Sequence, residues 1–241
     1  SIQFPLNEEN LLKVIKKEEV AIHEIKNAII ENPNDIACMI IEPIQGEGGD
    51  NHFRPEFLSH MKEICIENDI LLVYDEVQTG VGITGKMWAH QHFCEKSCKM
   101  ECSSHCKRIE PDIISFGKKT QCCGIFAGQR IDEVENNVFH ESSRINSTWG
   151  CNLVDMVRFT IYLEIIEQEN LIEKARFHGE YLLNQLIQIQ QDHSDHVSNA
   201  RGRGLFCAFD LPNSKYRDSL ASDLMDNKVL VLGSGERSIR F

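Results

Sequence analysis

Residues 70–80 read Ile-Leu-Leu-Val-Tyr-Asp-Glu-Val-Gln-Thr-Gly, a short apolar run that ends on an acid, Asp75, and then turns. A run of this length bounded by turn residues predicts a buried strand of the kind found in parallel sheets. A second run, Pro111-Asp112-Ile113-Ile114-Ser115-Phe116-Gly117-Lys118-Lys119, closes on lysines, and Lys118 lies 43 residues after Asp75. Both residues fall where strands end, which is where open α/β sheets set their ligand crevices. Taken singly, they would be an ordinary strand-end acid and an ordinary surface amine.

Upstream, residues 36–41 (IACMII) form another continuous apolar run, and residues 55–68 read as a helix leading to the strand at 70–74. Such strand–helix–strand alternation implies a parallel sheet with right-handed crossovers. Between them, residues 42–51 form a Gly-rich loop. Leu12, Ile15, Val20, Ile22, Ile25 and Ile29 recur at helical spacing among charges, so 9–31 is expected to be an amphipathic helix that Asn32-Pro33-Asn34-Asp35 ends. Strands are expected at 113–116 and 124–127, a long helix at 153–170 with Asn152 as its N-cap, and further helix at 171–191. The polar stretch QDHSDHVSNARGRG follows, and the alternation of Leu205, Cys207 and Phe209 reads as a half-buried strand. A helix at 216–227 and a strand at 229–232 complete the pattern. The expected organisation is α/β: a mostly parallel sheet in a large domain, 1–169, and a smaller α+β domain, 170–241, each of them partial.

A net charge of −12 argues against a general nucleic-acid binder, whose phosphate contacts need a basic face. No apolar run approaches the roughly 18–20 residues of a membrane span. The opening SIQFPLNEEN has no initiator Met and no charged segment followed by an apolar one, so the chain reads as a segment of something longer without a secretion signal. Ten cysteines in that context suggest reduced thiols in a cytoplasmic protein rather than a disulfide framework.

The Asp75–Lys118 pair has the composition that pyridoxal 5′-phosphate chemistry needs. A lysine amine must hold the cofactor aldehyde, and a carboxylate must keep the pyridine nitrogen protonated so that the ring can take up electrons. The words around the pair point the same way. Asp75-Glu76-Val77-Gln78-Thr79-Gly80, the upstream Glu42-Pro43-Ile44-Gln45-Gly46-Glu47-Gly48-Gly49, and Pro111-Asp112-Ile113 with Lys118 six residues after that Asp resemble the class III, or ω-, aminotransferases. Within that family, SFGKKTQCCGIFAG, SRINSTWGCNLVDMVR and RGRGLFCAFDLP resemble the lysine 6-aminotransferases. The 4-aminobutyrate aminotransferases are a sister group that shares EPIQ, DEVQTG and the ending SIRF.

The resemblance implies the type I fold of pyridoxal-phosphate transferases and a homodimer. It implies transfer of the ε-amino group of L-lysine to 2-oxoglutarate, giving 2-aminoadipate 6-semialdehyde and glutamate. A 4-aminobutyrate aminotransferase is the alternative, and a catalytically incompetent remnant is a second one. By the same resemblance Lys118 rather than Lys119 carries the cofactor, Asp75 pairs with the pyridinium nitrogen, Val77 packs on the ring and Gln78 reaches its phenolic oxygen. Thr148, in NSTWG, would bind the cofactor phosphate across a dimer interface. Arg240, in SIRF, would fork onto the carboxylate of 2-oxoglutarate, while Glu47 neutralises it for the amine donor and swings aside for the acceptor.

Cys94, Cys98, Cys102 and Cys106 recur every four residues, with His90, His92 and His105 near. On a helix these thiols would spread over about 18 Å, too far apart for one tetrahedral ion. The segment is expected to be a tolerated surface insertion or an artefact of the gene model rather than a metal site.

Overall fold

The computed structural model describes all residues except 1, 3, 5, 94–108, 146, 147 and 151. The cysteine-rich insertion therefore lies outside the described residues. The first half is a sheet of four strands in the order β1-β4-β5-β6, made of β1 (Cys38–Ile41), β4 (Leu71–Asp75), β5 (Ile113–Phe116) and β6 (Gly124–Ala127). β1, β4 and β5 run parallel, whereas β6 returns antiparallel beside β5. The reversal follows from length, because the link from Gly117 to Cys123 is too short for a crossover helix. A small antiparallel hairpin, β2 (Ile44–Gln45) with β3 (Asn51–His52), closes the Gly-rich loop.

Helix α1 (Glu8–Glu31) begins at Asn7, whose side chain accepts a hydrogen bond from the Asn10 N–H, and α2 (Pro55–Glu67) has proline in its first turn. α2 buries Phe57, Leu58, Met61, Ile64 and Cys65 against Leu72 and Tyr74 of β4 and Ile44 of the hairpin. A buried ion pair knits this layer together. Asp112 accepts from Lys62 Nζ of α2 at 2.7 Å, from the Leu72 N–H of β4 at 2.8 Å and from Arg130 at 3.0 Å. Arg130 lies on the short α3 (Gln129–Asp132). One carboxylate thereby sets the register of β5 against β4, and with it the spacing of the strand ends.

The second sheet is antiparallel, in the order β7 (Ser198–Arg203), β8 (Phe206–Asp210), β10 (Ser238–Arg240) and β9 (Leu232–Ser234). α4 (Leu153–Gln168), capped by the Asn152 side chain, runs into α5 (Leu171–Asp192) through Asn170, which has φ +51°. α5 packs across β7 and β8, and α6 (Ser214–Asp226) packs on β9 and β10.

The expected elements occur, with differences beyond the β2–β3 hairpin, α3 and the reversed β6. β1 is an edge strand, with Ile40 largely exposed, rather than a strand covered on both faces. β8 is buried along its whole length instead of alternating, because it lies between β7 and β10 beneath α5. The single strand expected at 229–232 is instead a pair, β9 and β10, that begins at Leu232, since Lys228 takes φ +63° and the chain turns there. The polar stretch near 198–203 is a strand, because its polar residues are buried with partners.

His52 of β3 is fully buried, and its Nε2 has no hydrogen-bond partner among the described residues. Burial, with Arg203, Arg201 and His92 adding positive charge, pushes its pKa down from 6.5 to about 3. A group depressed in the fold stays neutral there while the unfolded chain takes up its proton, so stability falls as pH drops from 6.5 toward about 3. His92, lowered to about 4 mainly by burial, acts in the same window. His52→Leu is therefore expected to flatten, though not abolish, the loss of denaturant midpoint between pH 7 and 5. An unchanged slope would contradict this.

Candidate functional site

The segments that follow β4 and β5, the Gly-rich loop and β10 come together: Val77 lies beside Gly117, and Gln78 lies beside Gly46 and binds Arg240. Asp75 is the last residue of β4, in register with Ser115, and its Oδ1 accepts the Val77 N–H at 3.0 Å. That bond turns the chain sharply after the strand and sets Val77 beside Gly117, where a side chain on Gly117 would lie 3.7 Å from Val77 Cγ1. Asp75 is half-buried and helps line a cleft of about 270 Å³ with Ile40, Ile41, Glu42, Gln45 and Phe53. Glu42 is occupied in accepting the Gly46 N–H at 2.8 Å.

The two lysines behave differently. Lys118 opens a 3-10 turn at φ +52° and is exposed, and its side chain forms no hydrogen bond or ion pair among the described residues. Lys119 is half-buried and donates to the Gln78 carbonyl at 2.6 Å. Burial, helped by the neighbouring Lys118 charge and opposed by Glu76, lowers its pKa from 10.5 to about 8. A depressed lysine pKa often marks a reacting amine, but here the amine is tied to a backbone oxygen and braces the loop after β4. Lys118 is the uncommitted one.

Glu76, for which the sequence suggests no role, is an internal brace. Its buried carboxylate accepts from Thr79 Oγ1 at 3.0 Å, from the N–H groups of Ala89 and His90 at 2.7 and 2.9 Å, and it pairs with His90 Nδ1 at 2.8 Å. It caps the short turn Ala89–Phe93 and holds the DEVQTG loop rigid.

Arg240 on β10 reaches across to this loop. Its NH1 donates to Gln78 Oε1 at 2.8 Å and its Nε to Asp50 Oδ1 at 2.7 Å, while its guanidinium lies 5.0 Å over the Phe206 ring. NH2 is buried and has no partner among the described residues. Glu47 sits 3.9 Å from NH1 with its side chain 73% exposed, so it is a loose neighbour of Arg240. The tight counter-ion is Asp50, which sequence reasoning missed: it is 1% exposed and is also held by the Ser234 hydroxyl. Burial pushes the Asp50 carboxyl pKa up, against the hydrogen bonds and positive charges of its partners.

Arg201, likewise missed, donates to the carbonyls of Asp50 and Gly49 at 2.7 and 2.6 Å and pairs with Asp210 at 2.8 Å. The Gly235 N–H binds the Glu47 carbonyl at 2.8 Å. Only glycine suits position 235, at φ +52° with an added Cβ only 2.7 Å from Gly49 Cα. The second sheet thus grips the backbone of the Gly-rich loop and leaves the Glu47 side chain loose.

The contacts link Asp75 to Val77, both Gln78 and Glu47 to Arg240, and Val77 to Gly117, the residue before Lys118. Thr148 is exposed on the segment before α4, and none of the hydrogen bonds of this cluster involves it.

These residues fit a pyridoxal phosphate by their chemistry: an acid lining a cleft, a branched apolar side chain two residues on, an exposed amine without a side-chain partner and a buried guanidinium whose NH2 has no partner among the described residues. A model of the class-III aminotransferases matches residues 1–241. The L-lysine-epsilon aminotransferase of Mycobacterium tuberculosis is 49% identical over 224 residues, covering 93% of this chain and 47% of that protein. The mitochondrial 4-aminobutyrate aminotransferase of Sus scrofa is 32% identical over 244 residues, covering 100% of this chain and 45% of its own length. The solved structure described as lysine aminotransferase from M. tuberculosis in the internal aldimine form superposes with a TM-score of 0.88 at 47% identity, over 99% of this chain and 51% of that one. The chain spans about half the length of the curated relatives it matches. With the type I fold and the strand-end site in hand, the chain belongs to the class-III aminotransferase family.

Proposed function

We propose that the full-length protein moves the ε-amino group of L-lysine to 2-oxoglutarate, with pyridoxal 5′-phosphate as cofactor, giving 2-aminoadipate 6-semialdehyde and glutamate. One observation carries the reading: Gln78, three residues after the cleft-lining Asp75, holds Arg240, a buried cation whose NH2 has no partner among the described residues, and Val77 lies beside Gly117, the residue before the uncommitted Lys118. Similarity to lysine ε-aminotransferases supports lysine as donor over 4-aminobutyrate.

When bound, the cofactor ring supplies an electron sink for the pair left behind as a proton leaves the substrate carbon. Lys118 would hold it and, once released, would move that proton. Asp75, already fixed by the Val77 N–H, would keep the ring nitrogen protonated. Val77 would pack on the ring face. Gln78 commits its Oε1 to Arg240 and so offers its amide N–H₂ to the phenolic oxygen. Arg240 would receive the carboxylate of 2-oxoglutarate on its spare donor, and Glu47 would cover that charge when lysine occupies the site.

Thr148 would bind the phosphate of a partner subunit's cofactor, in a homodimer. The outward Leu153, Val154, Val157 and Ile161 of α4 would give such an assembly apolar surface to cover. A lobe boundary near residue 170 fits the break between α4 and α5. No described helix is long and apolar enough to cross a membrane, and the unpaired cysteines among the described residues fit a cytoplasmic setting.

The test is donor choice. With 2-oxoglutarate as acceptor, the full-length protein is expected to use L-lysine with a kcat/KM at least about tenfold above that for 4-aminobutyrate, the scale of a few well-placed contacts. The reverse preference would transfer the reading to 4-aminobutyrate, and no turnover with either would overturn it.

A further inference from the structure

We propose that Asp50 is a positioning residue that aims Arg240 at the substrate carboxylate, so that acceptor recognition depends on an acid that does not itself touch substrate. The proposal rests on Arg240 receiving that carboxylate. A guanidinium on a long side chain can swing, and its fork is useful only when one edge is fixed. Here the Nε edge is fixed by Asp50 Oδ1 at 2.7 Å, and the Phe206 ring supports its face at 5.0 Å.

Asp50 is itself held at every polar atom. Oδ2 accepts from the Ser234 hydroxyl, the carbonyl accepts from Arg201 Nε at 2.7 Å, and the N–H donates to the Gly46 carbonyl at 2.9 Å. Its φ of +48° is a conformation that Asp and Asn tolerate better than most residues. Glu47 cannot supply this restraint, being 3.9 Å away and largely in solvent. With Nε bonded to Asp50 and one N–H of NH1 to Gln78, NH2 is the guanidinium nitrogen left buried and wholly unpartnered among the described residues. Asp50 also balances the buried Arg240 charge whether or not Glu47 is near, which leaves Glu47 free to move.

In the cofactor-loaded, full-length protein, Asp50→Ala is expected to raise the KM for 2-oxoglutarate on the order of tenfold, while kcat and the half-reaction with L-lysine stay within about threefold. Asp50→Asn keeps an oxygen that accepts from Arg240 Nε and should bring that KM back to within about threefold of the parent. Equal losses in both half-reactions, or an Asn variant no better than Ala, would overturn the proposal, because a merely structural acid predicts both. If Asp50→Ala does not fold, Ser234→Ala carries the test. It loosens Asp50, should raise the same KM at least about twofold, and an unchanged value would sink the idea. Arg240→Lys separates the two readings. If it leaves the 2-oxoglutarate KM unchanged, Arg240 is not the carboxylate site; if it raises that KM while the Asp50 and Ser234 variants are silent, only the Asp50 proposal fails.

Discussion

Replacing Lys118 with Ala in the full-length protein is expected to lower transamination by at least about 10³-fold, within the range found for loss of a positioned proton-transfer group. The amine would be lost both as the cofactor's anchor and as the group that moves the substrate proton. Folding should change little, since Lys118 is exposed and unpartnered, and surface substitutions of this kind shift stability by only about 0.5 kcal/mol. Lys119→Ala should behave in the opposite manner. It removes the 2.6 Å bond to the Gln78 carbonyl and should cost about 1 kcal/mol of stability, with activity largely retained. Rates and denaturation curves of the two variants side by side check both statements. A dead Lys119 variant beside an active Lys118 variant would reverse the assignment, and would make the depressed pKa of Lys119 the functional one.

The second large effect is expected at Arg240. Its removal should damage the half-reaction with 2-oxoglutarate by on the order of 2–5 kcal/mol, the scale for losing one partner of a buried charge pair. The half-reaction with lysine should suffer less, since its reacting carbon carries no carboxylate. Arg240→Ala would also strand Asp50 in the interior without its 2.7 Å partner, so Arg240→Lys is the cleaner variant: it keeps the charge and loses the fork. Glu47→Ala should do the reverse, weakening the lysine half-reaction and improving competition by α-amino acids. Because Glu47 is exposed and as far as 3.9 Å from NH1, its effect should be the smaller of the two. Single-turnover measurements of each half-reaction separate these outcomes. Equal losses in both halves for both variants would make Arg240 and Glu47 structural.

Where the chain could be read from its residues alone, the signal was local. The apolar runs of β1, β4, β5 and β6, the capped helices and the acid and lysine at strand ends are contiguous patterns, and each occurs where the pattern places it. The Pro111-Asp112 motif was legible as a motif, but not as the three-way clamp on Lys62, Leu72 and Arg130, because those partners are scattered over 18 to 50 positions. β7 escaped notice because Asn199 and Arg201 look like loop residues. They can be buried only because Asp210 and the loop carbonyls satisfy them, and composition does not report pairing. Asp50 was missed for the same reason. It is 190 residues from Arg240, and Glu47, which carries the family resemblance, drew the attention that geometry gives to Asp50.

Lys118 is the amine that would hold the cofactor, with Asp75 as the acid for its ring nitrogen. Borohydride reduction of the cofactor-loaded, full-length protein, followed by fragmentation of the labelled peptide, tests this most directly. The added mass should sit on Lys118; finding it on Lys119, or on no lysine of this chain, would contradict the account.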